Sequence, residues 1–226
     1  MDGLTTIKEI REKSDSCLLA FSCGKDSIAA WLELRKHFTR VSPFYMYLVP
    51  DLEFVKRSLD YYEDWFGCKI ERYPHPSLYR MLNNCVFQAP ENRMTIARAA
   101  LPKFEYSDIY STMREKHSTP DAYCASGVRA VDSPYRMIAI KKYGPINHKI
   151  KQFYPIWDWK KSRLIDEIEE AGVKLPVDYR MFGRSFDGVD YRFLEPIRRN
   201  FPSDYDRILQ YFPLADLELK RRDYAE

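Results

Sequence analysis

Cys17-Leu18-Leu19-Ala20-Phe21-Ser22-Cys23-Gly24-Lys25-Asp26-Ser27, followed by Ile28, Ala29, Trp31, Leu32 and Leu34 at helical spacing, is the stretch on which the fold turns. The apolar run ending at Phe21 is short and bounded by polar residues, the pattern of a buried parallel strand. A small polar loop then passes directly into an amphipathic helix. At such a junction the amides of the first helical turn and the positive end of the helix dipole face the same way, which makes an anion site. Ser22 and Ser27 add hydroxyl donors, Gly24 permits close backbone approach and Lys25 supplies charge. Asp26 would repel a phosphate by itself, so its presence suggests a bound Mg²⁺ with Asp26 as ligand. These are the parts needed to hold a pyrophosphate; the plainer alternative is a helix cap after an ordinary turn.

Outward from this loop, strand and helix signals alternate. Phe44 to Val49 reads as a second strand, ended by Pro50-Asp51. Phe54, Val55, Leu59, Tyr62 and Phe66 form the next helical stripe, with Gly67 placed as its C-cap, and Lys69 to Tyr73 reads as a third strand. That order predicts an α/β, Rossmann-like, doubly wound parallel sheet. Pro74 to Ala125 reads as an insertion, a lid over the sheet. Helices are expected from Ser133 to Lys142 and from Trp159 to Ala171, with a last strand from Ile150 to Ile156. We expect a nucleotide-binding domain over residues 1–175, with 74–125 as its insertion. A helical C-terminal extension over 176–226, broken by Pro196, Pro202 and Pro213, should pack on it.

Composition bounds the function. The chain has 226 residues, 45% hydrophobic and 31% charged, which excludes a disordered or coiled-coil chain. Apolar runs are far shorter than the roughly 20 residues of a membrane span. With no signal-peptide pattern at Met1 to Thr6 either, a cytoplasmic address and no membrane partner are expected. The net charge of +3 neither demands nor forbids nucleic acid. Five widely spaced cysteines without a CxxC pair predict reduced thiols. The four histidines show no metal-ligand spacing and read as surface or capping residues.

The loop resembles the PP-loop of the ATP pyrophosphatases, S-G-G-x-D-S after the first strand. Ser22, Gly24, Asp26 and Ser27 match it, and Cys23 stands where that pattern has its first glycine. The spacing is not that of a Walker A motif. Two further segments narrow the likeness. Gly127-Val128-Arg129-Ala130-Val131-Asp132-Ser133-Pro134-Tyr135-Arg136 resembles the G-x-R-x-x-[ED]-S-x-x-R stretch of PAPS reductases and the ATP sulfurylase small subunit. Tyr154-Pro155-Ile156-Trp157-Asp158-Trp159 is similar to the P-[IL]-x-D-W turn of the same superfamily. Arg129 and Arg136 could clamp phosphate or sulfate oxygens, with Asp132 orienting one of them; the alternative is ion pairing on a helix surface. Asp158 reads equally as a helix N-cap or a ligand.

The resemblance implies an adenine nucleotide α-hydrolase-like fold that binds ATP, or PAPS or APS, with Mg²⁺. Its nucleotide would be held by Ser22, Cys23, Gly24, Lys25, Asp26, Ser27, Asp51 and Gly127, with the adenine edge near Leu48 to Leu52. Lys25, Asp26, Arg129 and Arg136 would carry catalysis, and Asp51 and Asp132 are the candidates for a general base. Where the reductases carry a nucleophilic cysteine near the C-terminus, no cysteine follows Cys124 here, and Arg184-Ser185-Phe186-Asp187-Gly188 replaces their R-S-x-G-C. Adenylyl transfer with release of pyrophosphate is therefore the expected reaction. The alternatives are a sulfonucleotide enzyme that borrows a partner's thiol and a non-catalytic nucleotide-binding subunit. The acceptor is open. A nucleic acid would suit the aromatic and basic residues Tyr135, Arg136, Lys141, Lys142, Tyr143, His148, Lys149 and Lys151. So is the assembly, whether a partner subunit or a homo-oligomer.

Overall fold

In the computed structural model, residues 2–223 are described. Helix α1 (Gly3–Lys13) leads into β1 (Ser16–Ala20), α2 (Lys25–Leu34), β2 (Arg40–Tyr47), α3 (Glu53–Phe66) and β3 (Glu71–Pro74). Helices α4 (Pro76–Asn83), α5 (Arg93–Ala99) and α6 (Tyr106–His117) precede β4 (Tyr123–Ser126). Then come α7 (Pro134–Tyr143), the short hairpin β5 (Ile146–Asn147) and β6 (Gln152–Phe153), and α8 (Lys161–Ala171). The chain closes with α9 (Val177–Phe182), α10 (Tyr191–Asn200), α11 (Pro202–Tyr211) and α12 (Leu217–Asp223).

The six strands form one sheet in the order β3-β2-β1-β4-β6-β5. β1 pairs in parallel with β2 and β4, β4 pairs in parallel with β6, and β5 alone of these runs antiparallel, against β6. This is the α/β, Rossmann-like sheet with a helical C-terminal region that the pattern predicts. The order also fixes where a ligand site can form. From β1 the chain moves outward to β2 and β3, then returns to lay β4 on the other side of β1. Right-handed crossovers therefore put a topological switch point between β1 and β4, beyond their carboxyl ends.

Two compact units divide the chain. The first comprises 1–45, 68–71 and 106–175; its core holds Ile10, Leu18, Leu19, Phe21, Ile28 and Phe153. Phe21 meets Trp31 edge-on at 4.9 Å, which seats the first helix on the strand that precedes it. The second comprises 46–67, 72–105 and 176–226, and among its described residues the regular elements are helices apart from the ends of β2 and β3. Phe54 is fully buried there, with ring contacts to Phe182, Phe186 and Phe201.

Some expected boundaries move. The stretch 74–125 is shared out, with 106–125 supplying α6 and the central strand β4 to the first unit. The last strand shrinks from Ile150–Ile156 to Gln152–Phe153, because a hairpin turn at 148–151 takes its first two residues and a turn at 155–158 takes its end. Pro196 does not break its helix but lies inside α10; only Pro202 and Pro213 open new segments. A proline there removes one ladder bond, to the carbonyl four residues back, and the helix continues past it. None of the described helices is long and apolar enough to cross a membrane.

Candidate functional site

The turn after β1 supplies the first half of the site. Gly24 caps α2 in extended backbone, and the helix ladder opens with Ile28 N–H donating to Gly24 O at 3.0 Å. The amides of Lys25, Asp26 and Ser27 precede that bond, at the positive end of the helix. The turn is braced from within. Ser27 Oγ donates to Gly24 O at 2.8 Å, Ser22 Oγ lies 3.3 Å from Ser27 Oγ, and Gly24 N–H donates to Ser22 Oγ at 3.3 Å. Both serines thus shape the loop before any ligand arrives. Cys23 takes a left-handed backbone with φ of 60°. Glycine adopts that conformation at no steric cost, which is why the resembled pattern has glycine there.

The turn after β4 supplies the second half, on the neighbouring strand. Gly127 presses against the first turn of α2, and a Cβ on it would come within 2.7 Å of the Asp26 carbonyl and 2.8 Å of the Ser27 amide nitrogen. Any side chain would push the two turns apart, so Gly127 acts by permitting contact. Arg129 follows and is only 3% exposed. Its Nε donates to Asp26 Oδ1 at 2.6 Å and its Nη2 to Asp132 Oδ1 at 2.7 Å. Lys25 Nζ reaches the other oxygen of Asp26 at 2.7 Å. Asp26 thus sits between two cations, which offsets part of its repulsion of a phosphate. Arg136 stands 3.8 Å from Asp132 Oδ2 with half its side chain in solvent.

The third motif braces the second. Ala130 N–H donates to Trp157 O at 2.7 Å, so the turn at 154–159 holds the backbone that carries Arg129. Asp158 is not the N-cap of α8; Lys160 takes that position, and the helix starts at Lys161. Three segments far apart in sequence therefore meet in the first unit, at the switch point of the sheet. Asp51 lies in the second unit, between β2 and α3, in left-handed backbone with φ of 57°. Beside it, Val49 and Leu52 are buried in that unit's core.

Two observations bear on what the first-unit site could hold. Arg129 Nη1 is buried without a hydrogen-bond partner, a donor left over for a ligand oxygen. Among the described residues no group of three or more histidine, cysteine or carboxylate side chains is set to hold a metal. A magnesium ion that takes its other ligands from water and nucleotide phosphates needs only one or two carboxylates, so Asp26 fits that use.

Cys124, the spare thiol just before the arginine motif, is fully buried on β4, and burial pushes it up to about 12. A thiol held protonated is no nucleophile. Of the histidines, His75 caps α4 through Ser77 N–H, His117 meets Arg40, His148 meets Tyr123 and His37 meets Glu33.

No protein-family profile matches the sequence, and no curated protein matches it. Among solved structures, the chain is similar to the U34-tRNA thiolase NcsA from Methanococcus maripaludis, which carries a [4Fe-4S] cluster. The identity is 14% and the TM-score 0.46, covering 94% of this chain and 78% of that one. It is also similar to the NH3-dependent NAD synthetase from Campylobacter jejuni. Here the identity is 12% and the TM-score 0.45, covering 99% of this chain and 96% of that one. Both likenesses are distant.

Proposed function

We propose that this protein is a PP-loop enzyme of the ATP pyrophosphatase kind, which binds ATP with Mg²⁺, cleaves it between the α and β phosphates and adenylates an acceptor. The observation that carries the reading is the junction at the switch point. The loop at the N-terminus of α2 is pinned by Gly127 and by the Arg129–Asp26–Lys25 chain of charge.

In this reading an acceptor oxygen attacks the α-phosphorus, the bond to the bridging oxygen breaks, and pyrophosphate leaves with that electron pair. The amides of Lys25 to Ser27 receive the β- and γ-phosphates, and the hydroxyls of Ser22 and Ser27 keep the cradle in shape. Lys25 offsets negative charge that grows on the leaving group. Bound magnesium would add charge neutralisation on the pyrophosphate, with Asp26 as its protein ligand. Arg129 is a positioning residue that fixes Asp26, while its unpaired Nη1 offers one more donor. Arg136, the least encumbered cation of the set, would meet the α-phosphate side. Gly24 and Cys23 keep the loop backbone open to the ligand. Asp132 is occupied with Arg129, so its part is to orient that side chain.

Calorimetric titration with ATP, PAPS and APS, each with Mg²⁺, tests the reading, with Ser27→Ala and Arg129→Met alongside. ATP should bind best, Ser27→Ala should weaken it by about tenfold for one lost hydroxyl, and Arg129→Met should abolish it. A preference for PAPS or APS would move the protein to sulfonucleotide chemistry with a thiol from elsewhere. Binding of ATP without release of pyrophosphate across a panel of acceptors would make it a nucleotide-binding subunit, and binding of none of the three would sink the nucleotide site.

A further inference from the structure

Helix α7 is an oddity among the elements of the first unit. Of its side chains only Ile140 is buried; Tyr135, Arg136, Ile138, Ala139, Lys141, Lys142 and Tyr143 are all exposed. The exposure is large where it costs most, with Tyr135 at 85%, Tyr143 at 72% and Ile138 at 62%. At 3.6 residues per turn, Tyr135, Ile138, Ala139 and Lys142 share the face turned away from Ile140, with Arg136 and Tyr143 beside it. Exposed apolar side chains grouped this way mark a contact surface rather than scattered surface residues.

Charge decides what would cover it. From Ser133 to Ile150 the chain has four lysines and arginines and no aspartate or glutamate, although the chain as a whole has 33 acidic residues. That segment carries +4, more than the whole chain's +3. A second copy of this chain docked face to face would set like charges together, and an apolar partner would bury them unpaired. A polyanion with flat apolar faces meets both demands. Tyr135 and Tyr143 stand about 12 Å apart along the helix axis, by the 1.5 Å rise per residue. Lys142 Nζ already lies 4.9 Å from the centre of the Tyr143 ring, a cation set beside a stacking platform.

We infer that α7 and the turn after it, through Lys149, form a docking surface for an unpaired RNA loop, whose bases stack on Tyr135 and Tyr143 while its phosphates meet Lys141, Lys142 and Lys149. Unpaired bases splayed from a folded RNA expose the faces that tyrosines can stack on, whereas a duplex keeps them in its own stack. The surface is joined to the candidate nucleotide site through Arg136, which faces Asp132 and so Arg129 and Asp26. An RNA held there is placed to serve as the acceptor, and that last step rests on the adenylyl-transfer reading; the docking surface itself does not.

The test is fluorescence anisotropy on the full chain without nucleotide, using a labelled RNA hairpin with a seven-nucleotide loop. A blunt RNA duplex and a DNA hairpin of the same loop sequence serve as comparisons. We expect the hairpin RNA to bind, the duplex to bind at least tenfold more weakly, and affinity to fall with salt at a log–log slope of about −2, as three lysines on a single strand imply. Tyr135→Ala with Tyr143→Ala should weaken binding by tenfold or more at unchanged salt slope. Lys141→Glu with Lys142→Glu should weaken it and flatten the slope. All these side chains are exposed, so the variants should keep the parent's thermal midpoint and its ATP affinity. Equal binding of duplex and hairpin, or no effect of the tyrosine pair, would overturn the stacking surface. Tighter binding of the DNA hairpin would overturn the choice of RNA. A dimer in sedimentation that the tyrosine pair dissociates would assign the face to a second copy instead. Loss of ATP binding in the parent protein would count against the nucleotide site alone.

Discussion

At the scale of single residues, Asp178 carries a cost that no part of the nucleotide site requires. It is 5% exposed at the start of α9; its Oδ2 accepts from Phe186 N–H at 2.9 Å, and its Oδ1 is buried without a hydrogen-bond partner. Burial pushes its carboxyl from the ordinary 3.8 up to about 6, against the lowering effect of the Phe186 amide. A carboxyl whose pKa rises on folding favours the folded state in its protonated form. Its contribution is therefore complete below pH 3.8, is lost as the pH climbs through about 6, and changes no further above that. Two pKa units correspond to about 3 kcal/mol at most. Asp178→Asn keeps an oxygen for the Phe186 amide and removes the titration, so it should be more stable than the parent at pH 7.5. Urea midpoints of both proteins at half-unit steps from pH 4 to 7.5 give the difference directly. It should grow with pH between 4 and 6, and a flat difference would show that Asp178 ionises without strain.

Elements were unequally legible from sequence, and the reason lies in how far away their supports are. β1, α2 and α3 announce themselves through local apolar pattern, and Gly67, predicted as the C-cap of α3, does take left-handed backbone with φ of 70°. The other end of α3 has no local cap at all. Its first amides, Glu53 N–H and Phe54 N–H, donate to Asp204 Oδ1 at 2.7 Å and Oδ2 at 3.1 Å, from a helix 150 residues further on. No local pattern could have shown that. Strand β4 was hidden for a different reason: four residues, Tyr-Cys-Ala-Ser, carry little β signal, and only the pairing with β1 makes them central. The distant cap makes a prediction of its own. Asp204→Ala leaves two amides without acceptors and should destabilise the second unit by about 1–2 kcal/mol. Asp204→Asn, with one carbonyl oxygen, should cost about half as much. Thermal denaturation ranks the three proteins, and equal midpoints for Ala and Asn would mean that the second bond contributes nothing.

Across the whole molecule, the candidate site was legible as residues but not as an arrangement. The loop at 22–27, the arginine stretch and the 154–159 turn are each readable as motifs. That Arg129 is spent on Asp26 and Asp132, leaving only Nη1 over, follows from burial, which sequence does not display. The same holds for the five free cysteines, whose positions say nothing of their access. Cys17 and Cys124 are fully buried on adjacent strands, and desolvation pushes both thiols up, Cys17 well above its ordinary value and Cys124 to about 12. Cys23 is 4% exposed within its loop, while Cys68 and Cys85 are partly open to solvent. Attack on a disulfide reagent needs both a thiolate and a path to it. In native protein, Ellman's reagent should therefore react quickly with two of the five thiols and with the other three only as the fold opens; in denaturant all five should react at once. Mass mapping of the fast sites should return Cys68 and Cys85. Rapid labelling of Cys124 would instead expose a competent nucleophile beside Gly127 and Arg129, and sulfonucleotide chemistry would no longer require a thiol from outside the chain.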